Sequence, residues 1–192
     1  MIRKLKLTDN LEQVAQIIYQ TDSSVLPFLF GNKKKAVMRL NKLLSREHNA
    51  FSYQKVTIFE EGIIKGLTIE VTAETHKGYL NDFIYAFGVV GVIILAIKQV
   101  LLFPLLSNKL RNGIYLQNIA VDHAYRGQGI GTKLLNNVFL HAKKAGHKQI
   151  YLDVAIENVR AKKLYERVGF RVVKKRSVWA LFPVTYLMNK DI

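Results

Sequence analysis

Arg126-Gly127-Gln128-Gly129-Ile130-Gly131-Thr132 is the stretch of this chain whose residue types and spacing say most about chemistry. Glycines alternate with other residues behind an arginine, four residues after Ile119-Ala120-Val121 and ahead of an amphipathic stretch. A strand that runs into such a turn and then into a helix leaves backbone N–H groups unpaired at the positive helix end. Glycine also lets the main chain approach a ligand closely. The arrangement therefore suits a phosphate or pyrophosphate, with Arg126 adding a fixed charge. Two other phosphate loops do not fit. A dinucleotide fingerprint begun at Gly127 needs its third glycine at position 132, and a Walker loop needs one there too, just before Lys133. The chain has Thr132. The same glycines would also serve a tight turn that only docks a helix on a sheet.

A second pattern lies downstream, Asn158-x-x-Ala161-x-x-Leu164-Tyr165-x-x-x-Gly169-Phe170. With it, the chain resembles the GNAT superfamily of N-acetyltransferases. Arg126-Gly127-Gln128-Gly129-Ile130-Gly131 is similar to the superfamily's acetyl-CoA loop, R/Q-x-x-G-x-G/A, and the later run to its N-x-x-A-x-x-L-Y-x-x-x-G-F segment. The specific part spans roughly Tyr115 to Val173; the first hundred residues agree only in the order of their elements.

The resemblance implies an acetyl-CoA cosubstrate and a site shared among several elements. Pantetheine would lie against an open strand edge at Ile119, Ala120 and Val121. The pyrophosphate would rest on the N–H groups of Arg126, Gly127, Gln128, Gly129, Ile130, Gly131 and Thr132. Asn158, Ala161 and Tyr165 would border the thioester end. Attack on a thioester needs a neutral amine, yet an alkyl amine with a pKa of about 10.4 is mostly protonated at neutral pH. A base or a water chain must take that proton, and an acid in reach helps the thiolate depart. Tyr165 is the candidate acid; its alternative is a core tyrosine on the inner face of a short helix. Many relatives carry a carboxylate on the strand before the loop, where this chain reads Leu116-Gln117-Asn118-Ile119. Asn118 can orient a water but cannot itself be the base. Glu70 is the nearest alternative, although a solvated strand-end carboxylate is expected there. Asp22 suits a cationic substrate or, preferably, a turn. The histidines at 48, 76, 123, 141 and 147 lack metal-ligand spacing, and no metal is expected; His141 and His147 should lie at a solvated helix end. Without cysteine, direct transfer is favoured over a cysteine acyl-enzyme.

The elements that must position these residues follow from periodicity. Ile2–Leu7 alternates like a half-buried strand. Asp9 and Glu12 form a D-x-x-E cap before Leu11, Val14, Ala15 and Ile18, so a helix follows. Thr21–Asn32 reads as a loop or short helix, and residues 33–46 as a basic helix. Strands are expected over 56–60 and 63–72, turning at Glu61-Gly62, and again over 114–121. A helix runs from the glycine loop to about Ala145, ended by Gly146. Ile150, Leu152 and Val154 alternate as a strand. Asn158–Val168 is a short helix, and strands near 170–175 and 185–189 complete the pattern. The expected fold is α/β (α+β), one domain over 1–192, with a mixed, mostly antiparallel sheet flanked by helices.

Composition bounds the rest. The 192 residues hold 29 Lys and Arg against 14 Asp and Glu, a formal charge of +15, and are 49% apolar, enough for a core and against disorder. The N-terminus lacks a signal-peptide apolar run, so a cytoplasmic protein is expected. The charge suits a solvated basic face, an anionic ligand, or a nucleic-acid or membrane footprint. No zinc-finger, basic-zipper or aromatic RNA-binding pattern accompanies it, so nucleic acid is not the expected partner. Before the loop strand, an apolar insertion over about 80–108 contains only Lys98 and Gln99 as strongly polar residues between Phe83 and Leu106. By length it would cross a bilayer. The resemblance puts the strands on either side of it in one sheet, so a lid, a homodimer contact or a membrane-surface element is expected instead. The partners expected are acetyl-CoA and an amine acceptor that the sequence does not identify. The rival classes are an acyl-CoA-binding module without turnover and a basic nucleic-acid or membrane-surface protein.

Overall fold

A computed structural model describes residues 1–22, 24–72, 80–106, 113–177 and 184–192, with only the backbone of residues 102–106. His76 and the last two residues of the apolar insertion as bounded from sequence, 107–108, lie outside the described residues. In chain order the elements are β1 (Ile2–Lys4), α1 (Leu11–Tyr19), α2 (Val25–Phe30), α3 (Lys33–Leu44), β2 (Val56–Glu61), β3 (Ile63–Val71), α4 (Leu80–Leu106), β4 (Gly113–Val121), α5 (Ile130–Lys144), β5 (Gln149–Ala155), α6 (Val159–Arg167), β6 (Arg171–Arg176) and β7 (Thr185–Asp191). The strands form one sheet in the order β1-β2-β3-β4-β5-β7-β6. Among the described residues only β4 and β5 pair in parallel; the other neighbours are antiparallel. This is the expected α/β class.

The helix starts show where local signals were read correctly and where they were not. Asn10, and not Asp9, caps α1, accepting the N–H of Gln13 at 3.0 Å. Asp9 is withdrawn from capping because Arg3 holds it with two hydrogen bonds, at 2.7 and 2.9 Å, and it also accepts the Lys6 N–H. This fork fixes the loop before α1 to β1. Asn32 caps α3 through the N–H of Lys35.

Two layers of helix cover the sheet. On one face α1 and α3 bury Val14, Ile18, Leu40 and Leu44 against Ile58, Leu67 and Ile69. On the other, α5 sets Leu134, Leu135 and Val138 against Phe59, Ile114, Leu116 and the inner residues of β5, and α6 packs beside it through Tyr165. A β-bulge lets β4 serve both faces. Asn118 pairs with Ile69 but Leu116 with Glu70, leaving Gln117 as the extra residue. The extra residue shifts the alternation, so that Ile114 and Leu116 before it, and Ile119 and Val121 after it, share the α5 side.

The insertion is α4, with non-helical backbone at Gly88 (φ 71°). Before that kink Phe83, Ala86 and Phe87 join the core; after it the helix lies along α2 and α3. It leaves β3 and returns through β4, and these strands are paired neighbours, with Val71 opposite Tyr115.

Candidate acyl-CoA site

The cofactor-binding candidates converge where two strands part. β4 pairs with β5 only from Gly113 to Tyr115, opposite Gln149 to Tyr151. Beyond that β4 stays with β3 as far as Val121, while β5 stays with β7 as far as Ala155. The sheet thus opens into a wedge. Among the described residues, the β4 edge from Leu116 to Val121 has no strand pairing on its β5 side. Unpaired edge groups that are not simply exposed to water call for another partner. An extended chain of amides and carbonyls fits that need.

At the top of the wedge Asp122 caps a single turn, His123–Tyr125, through the N–H of Ala124, and the chain then enters the glycine loop. Gly127 (φ 86°) and Gly129 (φ 76°) occupy the left-handed region, which costs a residue with a side chain roughly 1–2 kcal/mol. Gly129 stands at the N-cap of α5 and offers no side chain to cap it, and the first turn carries no acid. The first backbone bond back into the loop is Lys133 N–H to the Gly129 carbonyl, at 3.1 Å. Among the described residues the N–H groups from Gly127 to Thr132 find no acceptor within the chain. Uncapped donors at the positive end of a helix of 15 residues form an anion cradle. Arg126 is aimed by its Nε, which donates to the Val121 carbonyl at 3.1 Å. Gly131 plays another part: a Cβ there would stand 3.2 Å from Leu164, so its smallness lets α6 dock against α5.

Sequence reading missed one cation at this loop. The Arg160 guanidinium lies 3.8 Å from where a Gly127 Cβ would be. Its position inside the Asn158–Tyr165 segment was the available signal, but only the docking of α6 brings it to the loop.

The α6 residues line the wedge unequally. Asn158 is the α6 N-cap, its Oδ1 accepting the Ala161 N–H at 3.1 Å, which leaves its Nδ2 donors for another partner. Ala161 is half-buried against the α5-side core. Tyr165 is 7% exposed, its ring edge-on to Phe170 at 5.9 Å. Burial pushes its phenol well above the ordinary tyrosine range, so it holds its proton at neutral pH. Among the described residues its hydroxyl has no hydrogen-bond partner. Ile119 is half-buried against the same core and Val121 against Ile130 and Leu134, whereas Ala120 turns its methyl into the opposite core and offers the wedge only backbone.

The remaining candidates divide. Asn118 lies on the α1 side, its Nδ2 donating to Thr21 Oγ1 at 2.9 Å; Thr21 in turn donates to the Ile18 carbonyl. Asp22 is a turn residue, accepting the N–H groups of Ser24 and Val25 at 2.7 and 2.6 Å at the start of α2. Glu70 corrects the expectation of a solvated carboxylate. Its side chain is 12% exposed on the α5 side, and partial burial raises its pKa, which Lys4 and His141 only partly offset. Its Oε1 has no partner, and its Oε2 stands 3.8 Å from His141 Nδ1. With His141, His147, Lys4, Lys55 and Lys144 it lines an open depression of about 500 Å³ at the C-terminal end of α5, the end away from the glycine loop. His141 and His147 are therefore half-buried companions of Glu70 and not wholly solvated. Among the described residues no group of His, Asp and Glu is arranged to hold a metal.

A mixed sheet opened between its parallel pair, with an uncapped glycine loop at the mouth of the opening, makes a site suited to an extended ligand with an anionic end. The chain belongs to the acetyltransferase (GNAT) family, whose model matches residues 57–170. It is 36% identical over 72 residues to a spermine/spermidine N(1)-acetyltransferase of Bacillus subtilis strain 168, a match covering 36% of this chain and 47% of that one. The curated relatives it matches are thus spanned over about half of their length or less. In fold it is similar to an N-acetyltransferase from Staphylococcus aureus Mu50, with TM-score 0.72, 19% identity, and 98% and 99% of the two chains covered. It is also similar to a chain of the NatC complex solved with Gag peptide and CoA, with TM-score 0.60, 16% identity, and 100% and 98% covered. The fold uses acetyl-CoA, and the residues present suit it: an open strand edge for an amide-bearing arm and free N–H donors for a pyrophosphate.

Proposed function

We propose that this protein is an acetyl-CoA-dependent N-acetyltransferase that moves an acetyl group to a primary amine by direct transfer. The observation that carries the reading is the unpaired β4 edge, Leu116–Val121, leading into the uncapped donors of Gly127–Thr132. The name of the Bacillus relative supports an amine acceptor.

Acetyl-CoA, when bound, supplies the activated acetyl group. The chain's residues have three tasks. Gly127–Thr132, with Arg126 and Arg160, hold the anionic end by backbone donors and fixed charge. The open edge at Ile119–Val121 orients the arm, with Asn158 and Ala161 bordering it. Tyr165, kept neutral by burial, holds a proton for the departing sulfur as the bond from amine nitrogen to acetyl carbon forms and the carbon–sulfur bond breaks. The amine's own proton leaves through water oriented by Asn118, whose hydrogen bond to Thr21 fixes its amide. Glu70 is not assigned to this step, because it lines the depression at the C-terminal end of α5, away from the glycine loop.

Calorimetric titration with acetyl-CoA, CoA and ATP tests the binding half. Micromolar binding of the first two without the third is expected, and no binding at millimolar acetyl-CoA would overturn the assignment. Thiol release across a panel of primary amines tests turnover. Asn118, in place of a carboxylate, favours one second reading, an acyl-CoA-binding module; binding without thiol release for any amine would select it.

A further inference from the structure

Among the described residues, α4 is where the fold leaves the most apolar surface uncovered. Its inner stripe is seated: Leu95 is 5% exposed, Gly91 lies beside Arg39, and Lys98 Nζ donates to the Phe28 carbonyl at 2.7 Å. Its outer stripe is not. Val90, Ile93, Ile97 and Val100, at helical spacing, are 70, 57, 59 and 73% exposed. A contiguous apolar face of that kind on a protein surface marks a contact. The stretch Leu80–Leu101 is long and apolar enough to cross a membrane. It cannot do so here, because β3 and β4 at its two ends are paired strands of one sheet.

The charge around the stripe identifies what covers it. From Ser24 to Arg46 the sequence has no acid. Lys33, Lys34 and Lys35 are exposed in the first turn of α3. Further along α3, which runs beside α4, and just past its end, the Arg39 and Arg46 guanidinium groups lie over the rings of Phe87 and Tyr85, at 4.5 and 4.3 Å. Lys42 Nζ is 5.4 Å from the Tyr85 ring centre. The sole acid in α3 and α4, Asp82, is buried, accepting the His48 N–H and the Asn49 side-chain amide. An apolar stripe bordered by cations with a tyrosine between them has the composition of a helix lying in a membrane interface. A second copy would set one basic rim against another in a chain of formal charge +15, whereas anionic headgroups would complement it.

We propose that α4 seats this protein in the plane of an anionic phospholipid bilayer, with Val90, Ile93, Ile97 and Val100 among the acyl chains and the α3 cations against the headgroups. Flotation of the whole chain with vesicles tests this, comparing phosphatidylcholine alone with phosphatidylcholine and phosphatidylglycerol in equal parts. Flotation with the anionic vesicles is expected, weakened by salt and about tenfold weaker on the neutral ones. The I93D/I97D variant, changed only at exposed positions, should keep the melting temperature and lose at least about tenfold in partition. If its melting temperature falls, K33E/K34E/K35E decides, and it should lose the preference for anionic vesicles. No flotation with either vesicle, or flotation undiminished in both variants, would overturn the proposal. So would a concentration-dependent dimer in sedimentation that I93D/I97D dissolves.

Discussion

Tyr165 combines two demands that a side chain rarely meets together: a ring held in a core and a hydroxyl left without a partner. The ring is fixed against Phe170 and the inner residues of β5, while the phenol stays protonated because burial disfavours its anion. Tyr165→Phe should therefore lower the rate of the chemical step by roughly 10²–10⁴ and leave acetyl-CoA affinity nearly unchanged. Single-turnover rates beside calorimetric affinities check this, and an unchanged rate with a good amine would remove Tyr165 from the role. Glu70 offers a different test at the same scale. Its folded pKa is raised, so the unfolded chain gives up the Glu70 proton first as pH rises. The folded state is favoured fully below the ordinary carboxylate range and loses that advantage as pH passes upward through the folded pKa. Glu70→Gln should raise the melting temperature at neutral pH, and the gain should vanish in acid. Melting curves at both pH values decide it.

Elements carry constraints that single residues do not. The turn from β4 to α5 works because Gly127 and Gly129 adopt a backbone that side chains resist and because no side chain caps α5. A Cβ on Gly129 would meet no atom of the chain, so a substitution there strains the turn and blocks the cradle rather than clashing with the core. Gly129→Val should weaken acetyl-CoA binding about tenfold or more, about 1.4 kcal/mol or above, measured by calorimetry. Full affinity would show that the loop is only a turn. At the other end of the sheet, the Arg3–Asp9 fork ties β1 to the start of α1 and holds Asp9 below its usual range, chiefly through the Arg3 hydrogen bonds. That stability is present above the unfolded carboxylate pKa and is lost as pH falls through the folded one. Asp9→Asn should cost about 1–3 kcal/mol at neutral pH in urea unfolding, with the difference closing in acid.

At the scale of the whole molecule, the proposed binding would join two halves of the sheet that the wedge separates. A ligand lying between β4 and β5 stabilises only the folded chain. At a hundredfold excess over its Kd, acetyl-CoA should add about 2.7 kcal/mol, a rise in melting temperature of roughly 5–10 °C. Tyr165→Phe should keep that rise and Gly129→Val should lose most of it. The same view separates the two ends of α5: the uncapped glycine loop at its start and the partly buried Glu70 at its finish are different environments on one helix.

Periodicity and turn residues determined the order and type of the elements, because a helix of period 3.6 and a strand of period 2 write themselves into the placement of apolar residues. The glycine loop suggested an anion site or a tight turn by residue type alone, and it was the resemblance, carried by the Asn158–Phe170 run, that pointed to acetyl-CoA. Other features depended on partners distant in the chain. Asp9 had the form of a cap until Arg3 took it, and Glu70 that of a solvated strand end until α5 covered it. The bulge at Gln117 breaks the alternation that sequence reading relies on. The parting of β4 from β5 follows from how each strand pairs on its other side, with β3 and with β7. The apolar run of α4 was plain in the sequence. The pairing of β3 with β4 at its ends, which the resemblance had implied, keeps it from spanning a bilayer, and only its packing along α2 and α3 decided which face lies exposed, since exposure belongs to the packing and not to the residue.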